Sequence, residues 1–161
     1  MSSVIKNGTV YIAPNATVVG DVVLEDRVNV WYGTVIRGDA GKIHIGARTN
    51  VQDNCILHSE TTIGEGCTIG HGAIVHGCTI GNHTMIGMGA IVLTGATIGN
   101  NCVIGAGAVV KENDIIPDDC VAVGIPARII GESKPAHMDD IAENEETYMR
   151  LSEEAFGNNE K

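Results

Sequence analysis

The chain has 161 residues, 43% of them hydrophobic but only 3% aromatic, with 21 glycines and a formal net charge of −10. That length fits one domain with a real core, and the acidic balance argues against nucleic acid or an anionic membrane as a partner, because both need a basic face. So few rings beside so many glycines exclude an ordinary globular core, which leans on Phe, Tyr and Trp for buried area, and call for some regular architecture instead.

The opening segment, MSSVIKNGTVYIAPNATVVG, has neither a charged region followed by an apolar stretch nor enough apolar residues to span a bilayer, so the chain reads as soluble and cytoplasmic. The five cysteines then read as reduced thiols rather than a disulfide framework.

From Ile12 an aliphatic residue returns every six positions. The register runs Ile12, Val18, Leu24, Val30, Ile36, then Ile45, Val51, Leu57, Ile63, Ile69, Val75, then Ile80, Ile86, Val92, Ile98, Ile104, Val110. Three residues are inserted between Ile36 and Ile45, and one is missing between Val75 and Ile80. The fifth position of each hexad holds only small or β-branched residues and Cys55, Cys67 and Cys102, which reads these cysteines as core filler. One aliphatic and one small inward residue per hexad describe a narrow three-sided prism: an all-β solenoid resembling the left-handed parallel β-helix of hexapeptide-repeat proteins.

After Val110 the register is expected to fade in IIPDDCVAVGIPARII, where prolines interrupt it. From about Met138 to Phe156 the spacing of Ile141, Tyr148, Leu151 and Ala155 predicts a C-terminal α-helix that caps the prism or lies against its flank. The expected organisation is a β-helix domain over 1–130 and a helix with an acidic tail over 131–161. Residues 138–161 supply six of the ten net negative charges and read as a solvated face.

Sequence separation becomes geometry in such a prism, since residues one coil apart stack about 4.8 Å from each other. His58 and His76 are both second in their hexads and 18 residues apart, so they stand on one face, and Arg37 joins their column once the insert is allowed for. His71 is third in its hexad on the preceding face, directly above Asp53. Normals of adjacent faces diverge by about 120°, so His71 cannot meet the pair within one chain. The register therefore predicts that His58 and His76 of one chain and His71 of a neighbour converge on one metal, and a three-fold axis closes the ring as a homotrimer. Solvated surface histidines, or a single histidine base of an acyltransferase, are the competing readings. His44, His83 and His137 receive no role.

VIRGDAGKIHIGARTNVQDNCILHSE followed by IGHGAIVHGCTIGNHTMIGMGAIVLTGATIGNNCVIGAGAVV resembles the γ-class carbonic anhydrase family, from about Ile12 to Leu151. The resemblance implies His58, His71 and His76 as zinc ligands, Arg37 and Asp39 as an interface ion pair, and Gln52 and Asp53 as polar residues beside the metal, Gln52 orienting the hydroxide or the substrate. It also brings Asn144 and Tyr148 to the site from NEETYMRL, and implies hydration of CO2 to bicarbonate by a zinc-bound hydroxide at subunit interfaces. Fe²⁺ and Co²⁺ suit the same imidazole set. The chain departs from the best-studied type of the family: only SETTIGEGCTIG separates His58 from His71, with no long acidic loop, which leaves Glu60 as the nearest proton shuttle in the sequence. The alternatives are a hexapeptide-repeat acyltransferase or CoA thioesterase, for which VGIPARII gives a foothold, and a noncatalytic metal-binding trimer.

Overall fold

A hexad has just enough residues for a two- or three-residue strand and a corner, and such a strand satisfies its backbone only by pairing with the coils before and after it. The computed structural model describes residues 3–157 and shows the consequence: a parallel β-solenoid of about seven turns, the left-handed β-helix expected, with one C-terminal helix. Residues 158–161, the end of the expected acidic tail, lie outside the described residues.

The strands form three faces. The first stacks the start of Val35–Ile45 with Ile56–His58, Ile74–His76, Ile91–Val92 and Val109–Val110. The second stacks the end of Val35–Ile45 with Thr61–Ile63, Thr79–Ile80, Thr97–Ile98 and Ile115–Ile116. On the third lie Tyr11–Ile12, Asn29–Val30, Asn50–Val51, Thr68–Ile69, Met85–Ile86, Val103–Ile104 and Cys120–Val123. The inserted residues form the corner of Val35–Ile45, where Arg37, Asp39 and Ala40 are exposed. The aliphatic register from Leu24 to Val110 is fully buried along the axis. Ile43, β-branched but large, fills the fifth-position site opposite Thr61.

The fifth-position cysteines do more than fill space. Thr49 and Thr84 donate through Oγ1 to the carbonyls of Gly64 and Gly99 in the next coil, each at 2.8 Å. Cys55, Cys67 and Cys102 repeat the contact, their Sγ atoms donating to Gly70, Gly81 and Pro117 at 3.1, 3.0 and 3.0 Å. At the corners the coils approach too closely for side chains: a Cβ on Gly64 would stand 2.7 Å from the Gly81 carbonyl carbon.

Two expectations need correction. The six-residue register does not fade after Val110, because Ile116 and Ala122 continue it as buried residues and the prolines fall at corners. The helix spans Pro135–Phe156, one turn earlier than expected, since proline at the first helical position is pre-set in φ and gives up an N–H that has no partner there. Its most buried residues are Ile141, Met149, Ser152 and Phe156, a face rotated from the expected one, and Ala155 is exposed. The reason is tertiary. All five aromatic residues of the chain gather outside the bore, where Trp31 meets Tyr148 and Phe156 with ring centroids 5.2 Å apart in each pair. Trp31 Nε1–H donates to the buried Asn29 Oδ1 at 2.8 Å. Arg48 reaches across to Glu145 and fastens the helix to the third face. The antiparallel strand Arg128–Glu132 straddles residue 130 and pairs with Cys120–Val123. Among the described residues, no helix is long and apolar enough to cross a membrane.

Candidate metal centre

On the first face the strand register pairs Arg37 with His58 and His58 with His76, the column expected from the hexads. The two ring planes meet at 62°, with His58 Nδ1 facing His76 Nε2 at 3.1 Å. Each has a second partner on its far nitrogen. His58 Nε2–H donates to Asp39 Oδ1 at 3.0 Å, and His76 Nδ1 lies 2.9 Å from Thr94 Oγ1. Arg37 donates to the other oxygen of Asp39 at 2.6 Å within the same chain. That guanidinium hydrogen bond holds the Asp39 carboxyl below the usual carboxylate range.

His71 stands apart, at the third face. Its Nδ1 lies 2.8 Å from Asp53 Oδ2, the residue predicted beneath it. A carboxylate can only accept, so in the neutral imidazole the proton sits on Nδ1 and Nε2 keeps its lone pair. The Tyr148 hydroxyl meets Nε2 at 3.3 Å from the helix. Partial burial and the Asp53 charge hold the phenol above its usual pKa, so Tyr148 keeps its proton and donates.

Gln52 is buried, with both ends of its amide engaged: Oε1 accepts from the His71 backbone N–H at 3.2 Å and Nε2 donates to Asn50 Oδ1 at 3.1 Å. Asn50 in turn donates to Thr68 Oγ1 at 3.1 Å. Gln52, His71, Asn144, Tyr148 and Thr68 share a groove of about 380 Å³ whose remaining wall is apolar, including Met85, Met88 and Val103. Glu60 is exposed at the turn after His58 and lines a separate depression with Thr94. The structure thus joins Arg37, Asp39, His58 and His76 in one cluster and Gln52, Asp53, Asn144, Tyr148 and His71 in another, and does not join the two clusters within one chain. Among the described residues, no three His, Cys, Asp or Glu side chains of one chain are grouped so as to hold a metal ion.

Thr94 and Asn50 carry no mark in the sequence reading. The coil after His76 is one residue short, so strict stacking pairs His76 with Leu93 and leaves Thr94 one place beyond. Of the histidines given no role, His44 pairs with Glu25 at 2.9 Å, and His137 Nδ1 accepts from the Lys134 backbone at the helix start.

The donor set suits a divalent metal. Two nitrogens bound to one tetrahedral ion at about 2.0–2.1 Å stand about 3.3–3.4 Å apart, close to the 3.1 Å between His58 and His76. All three imidazoles carry an outer hydrogen-bond partner of the kind that orients metal-ligating histidines.

Residues 77–112 match the family model "Bacterial transferase hexapeptide (six repeats)", and residues 60–93 match "Hexapeptide repeat of succinyl-transferase". The chain is 49% identical to a probable carbonic anhydrase of Methanocaldococcus jannaschii, over 89% of this chain and 93% of that one. It is 45% identical to a carbonic anhydrase of Geobacillus kaustophilus, over 84% and 75% respectively. Among solved structures, a hexapeptide transferase family protein of Anaplasma phagocytophilum superposes with a TM-score of 0.91 at 36% identity, covering 94% of this chain and 92% of that one. With 45–49% identity to curated carbonic anhydrases over most of both chains, and hexapeptide-repeat matches of its own, the chain belongs to the γ-class carbonic anhydrase family.

Proposed function

We propose that the protein is a metal-dependent carbonic anhydrase that interconverts CO2 and bicarbonate at sites shared between the subunits of a homotrimer. The observation that carries this reading is the pair of facing nitrogens on His58 and His76, together with a His71 Nε2 that Asp53 leaves with its lone pair.

The three-fold assembly draws support from the outward residues of the faces. Beside the histidine column, the first face presents Val35, Ile56, Ile74, Ile91 and Val109, and Ile56 is 45% exposed in the single chain. The second face presents Thr62, Thr79 and Thr97 at the equivalent stack, between His44 and, at the end of the solenoid, an exposed Ile115. An aliphatic ladder suits burial against a neighbour and a threonine ladder suits water. Packing the first face against the neighbour's third-face edge carries that neighbour's His71 toward His58 and His76.

Zn²⁺ is the metal proposed, with Fe²⁺ and Co²⁺ compatible with the same ligands. Such an ion supplies the acidity that makes hydroxide available from water near neutral pH. The protein's own groups do the rest. Asp39 and Asp53 hold their imidazoles in orientation, and Gln52 fixes the backbone under His71. The apolar wall of the groove admits CO2, which has no net dipole to solvate, while Asn144 and the Tyr148 hydroxyl offer the polar contacts that bicarbonate needs. Glu60, open to solvent, passes protons to buffer.

The test is metal content per chain and CO2 hydration by stopped flow, on wild type and His71→Ala, after loading with Zn²⁺ or, anaerobically, Fe²⁺. One metal per chain and hydration, both lost in His71→Ala, are expected. Metal without hydration moves the reading to acyl or thioester chemistry, and no metal under any loading overturns it.

A further inference from the structure

We propose that Thr94 positions His76 through a hydroxyl whose ability both to donate and to accept lets the imidazole change tautomer as the metal binds. The inference rests on the metal-centre reading above. Asp53 and Asp39 back His71 and His58, and a carboxylate accepts only, so each fixes one tautomer. His76 alone is backed by a hydroxyl, at 2.9 Å.

The hydrogen-bond roles follow from the network. His58 Nε2–H donates to Asp39, so in the neutral ring the Nδ1 facing His76 is a bare lone pair. In the metal-free chain, His76 Nε2–H donates to that lone pair across the 3.1 Å contact, His76 Nδ1 is the acceptor, and the Thr94 hydroxyl donates to it. To hold a metal beside His58, His76 would have to offer an Nε2 lone pair. Its single ring proton then resides on Nδ1, and Thr94 turns its hydroxyl to accept. The protons balance: one leaves Nε2 to solvent and one from solvent arrives at Nδ1.

The backbone holds Thr94 where this requires. Gly95 N–H donates to the Gly77 carbonyl at 2.7 Å, and Asn113 N–H donates to the Thr94 carbonyl at 3.1 Å. Gly77 follows His76 with φ +61°, and a Cβ there would stand 3.2 Å from Thr94 Oγ1. A bare position beside the ring leaves the hydroxyl its place.

The experiment compares wild type, Thr94→Val, which keeps the shape without the hydroxyl, and Thr94→Ser, which keeps the hydroxyl. Imidazole ¹⁵N spectra of the metal-free and zinc-loaded full chain report which ring nitrogen of His76 carries the proton. Zinc affinity by competition with a chromophoric chelator and the thermal midpoint complete the set. Expected are a His76 proton on Nε2 without metal and on Nδ1 with it, an affinity about 10–100-fold weaker in Thr94→Val, wild-type affinity in Thr94→Ser, and unchanged midpoints. A Thr94→Val chain with wild-type affinity, or a metal-free His76 already protonated on Nδ1, overturns the proposal. A wild type that binds no zinc instead overturns the metal-centre reading, and the metal-free spectra then judge the Thr94 contact by themselves.

Discussion

Asp53 and His71, one coil apart, are joined by a 2.8 Å contact between Oδ2 and Nδ1 that decides which nitrogen of the imidazole is left to bind a ligand. Asp53→Asn keeps the size but can turn an N–H toward the ring and release the other tautomer. Its zinc affinity is expected to fall about 10–100-fold with the fold intact, as read by chelator competition beside circular dichroism.

A site shared between chains allows complementation. His71→Ala chains keep the His58–His76 pair, and His58→Ala chains keep His71, so neither alone forms a complete site. Unfolding and refolding the two variants together in equal amounts should restore metal to about a quarter of the sites, because each site draws its two parts from different protomers at random. If the three histidines instead met within one chain, mixing would restore none.

The bore is intolerant of volume changes in either direction. Leu57 and Ala90 are both fully buried. Leu57→Ala is expected to cost about 2–5 kcal/mol and Ala90→Leu about 1–3 kcal/mol, the first through a cavity and the second through overpacking, both measurable by denaturant unfolding.

Burial raises the thiol pKa values of Cys55, Cys67 and Cys78 to about 12. Only Cys120 is partly exposed, so a disulfide exchange reagent should titrate one thiol promptly in the native protein and five after denaturation. Unfolded thiols ionise from about pH 8.5 while these three stay protonated to about pH 12 in the fold. In that window the native state binds more protons than the unfolded one, so stability falls as pH rises, by about 1.4 kcal/mol per pH unit for each such thiol.

Trp31 is the chain's single tryptophan and packs against Phe156 in the last turn of the helix. Phe156→Ala should loosen the helix end, shift Trp31 emission to longer wavelength and weaken zinc binding little, because Tyr148 lies two turns earlier.

What could be read from the sequence was whatever the bore dictates. A residue that must point into a narrow prism recurs at fixed spacing, so the buried register, the stacking of Arg37, His58 and His76, and the placing of His71 above Asp53 were legible from Ile12 to Val110. Contacts outside the bore follow no period. Helix phase is set by Trp31 and Phe156, which lie 125 positions apart in the chain, and the start at Pro135 is a matter of local φ. The buried amide chain from Gln52 to Asn50 and Thr68 is legible only once the helix is seen to cover that face. Thr94 escaped because a coil one residue short moves it out of the column in which a partner of His76 would be sought.

The coil-by-coil pairing has a kinetic corollary. Each coil touches only its neighbours, so once the strand Arg128–Glu132 detaches, opening can begin at the coil of Ile115–Ile116 and Cys120–Val123 and travel inward one coil at a time. His58 and His76 lie in the middle of the stack, with strands Ile91–Val92 and Val109–Val110 between them and that end on the same face. Two whole coils must therefore unzip before the histidine pair loses its upper support, and amide hydrogens of Leu57 and Val75 should exchange among the slowest in the molecule while those beyond Ile115 exchange first.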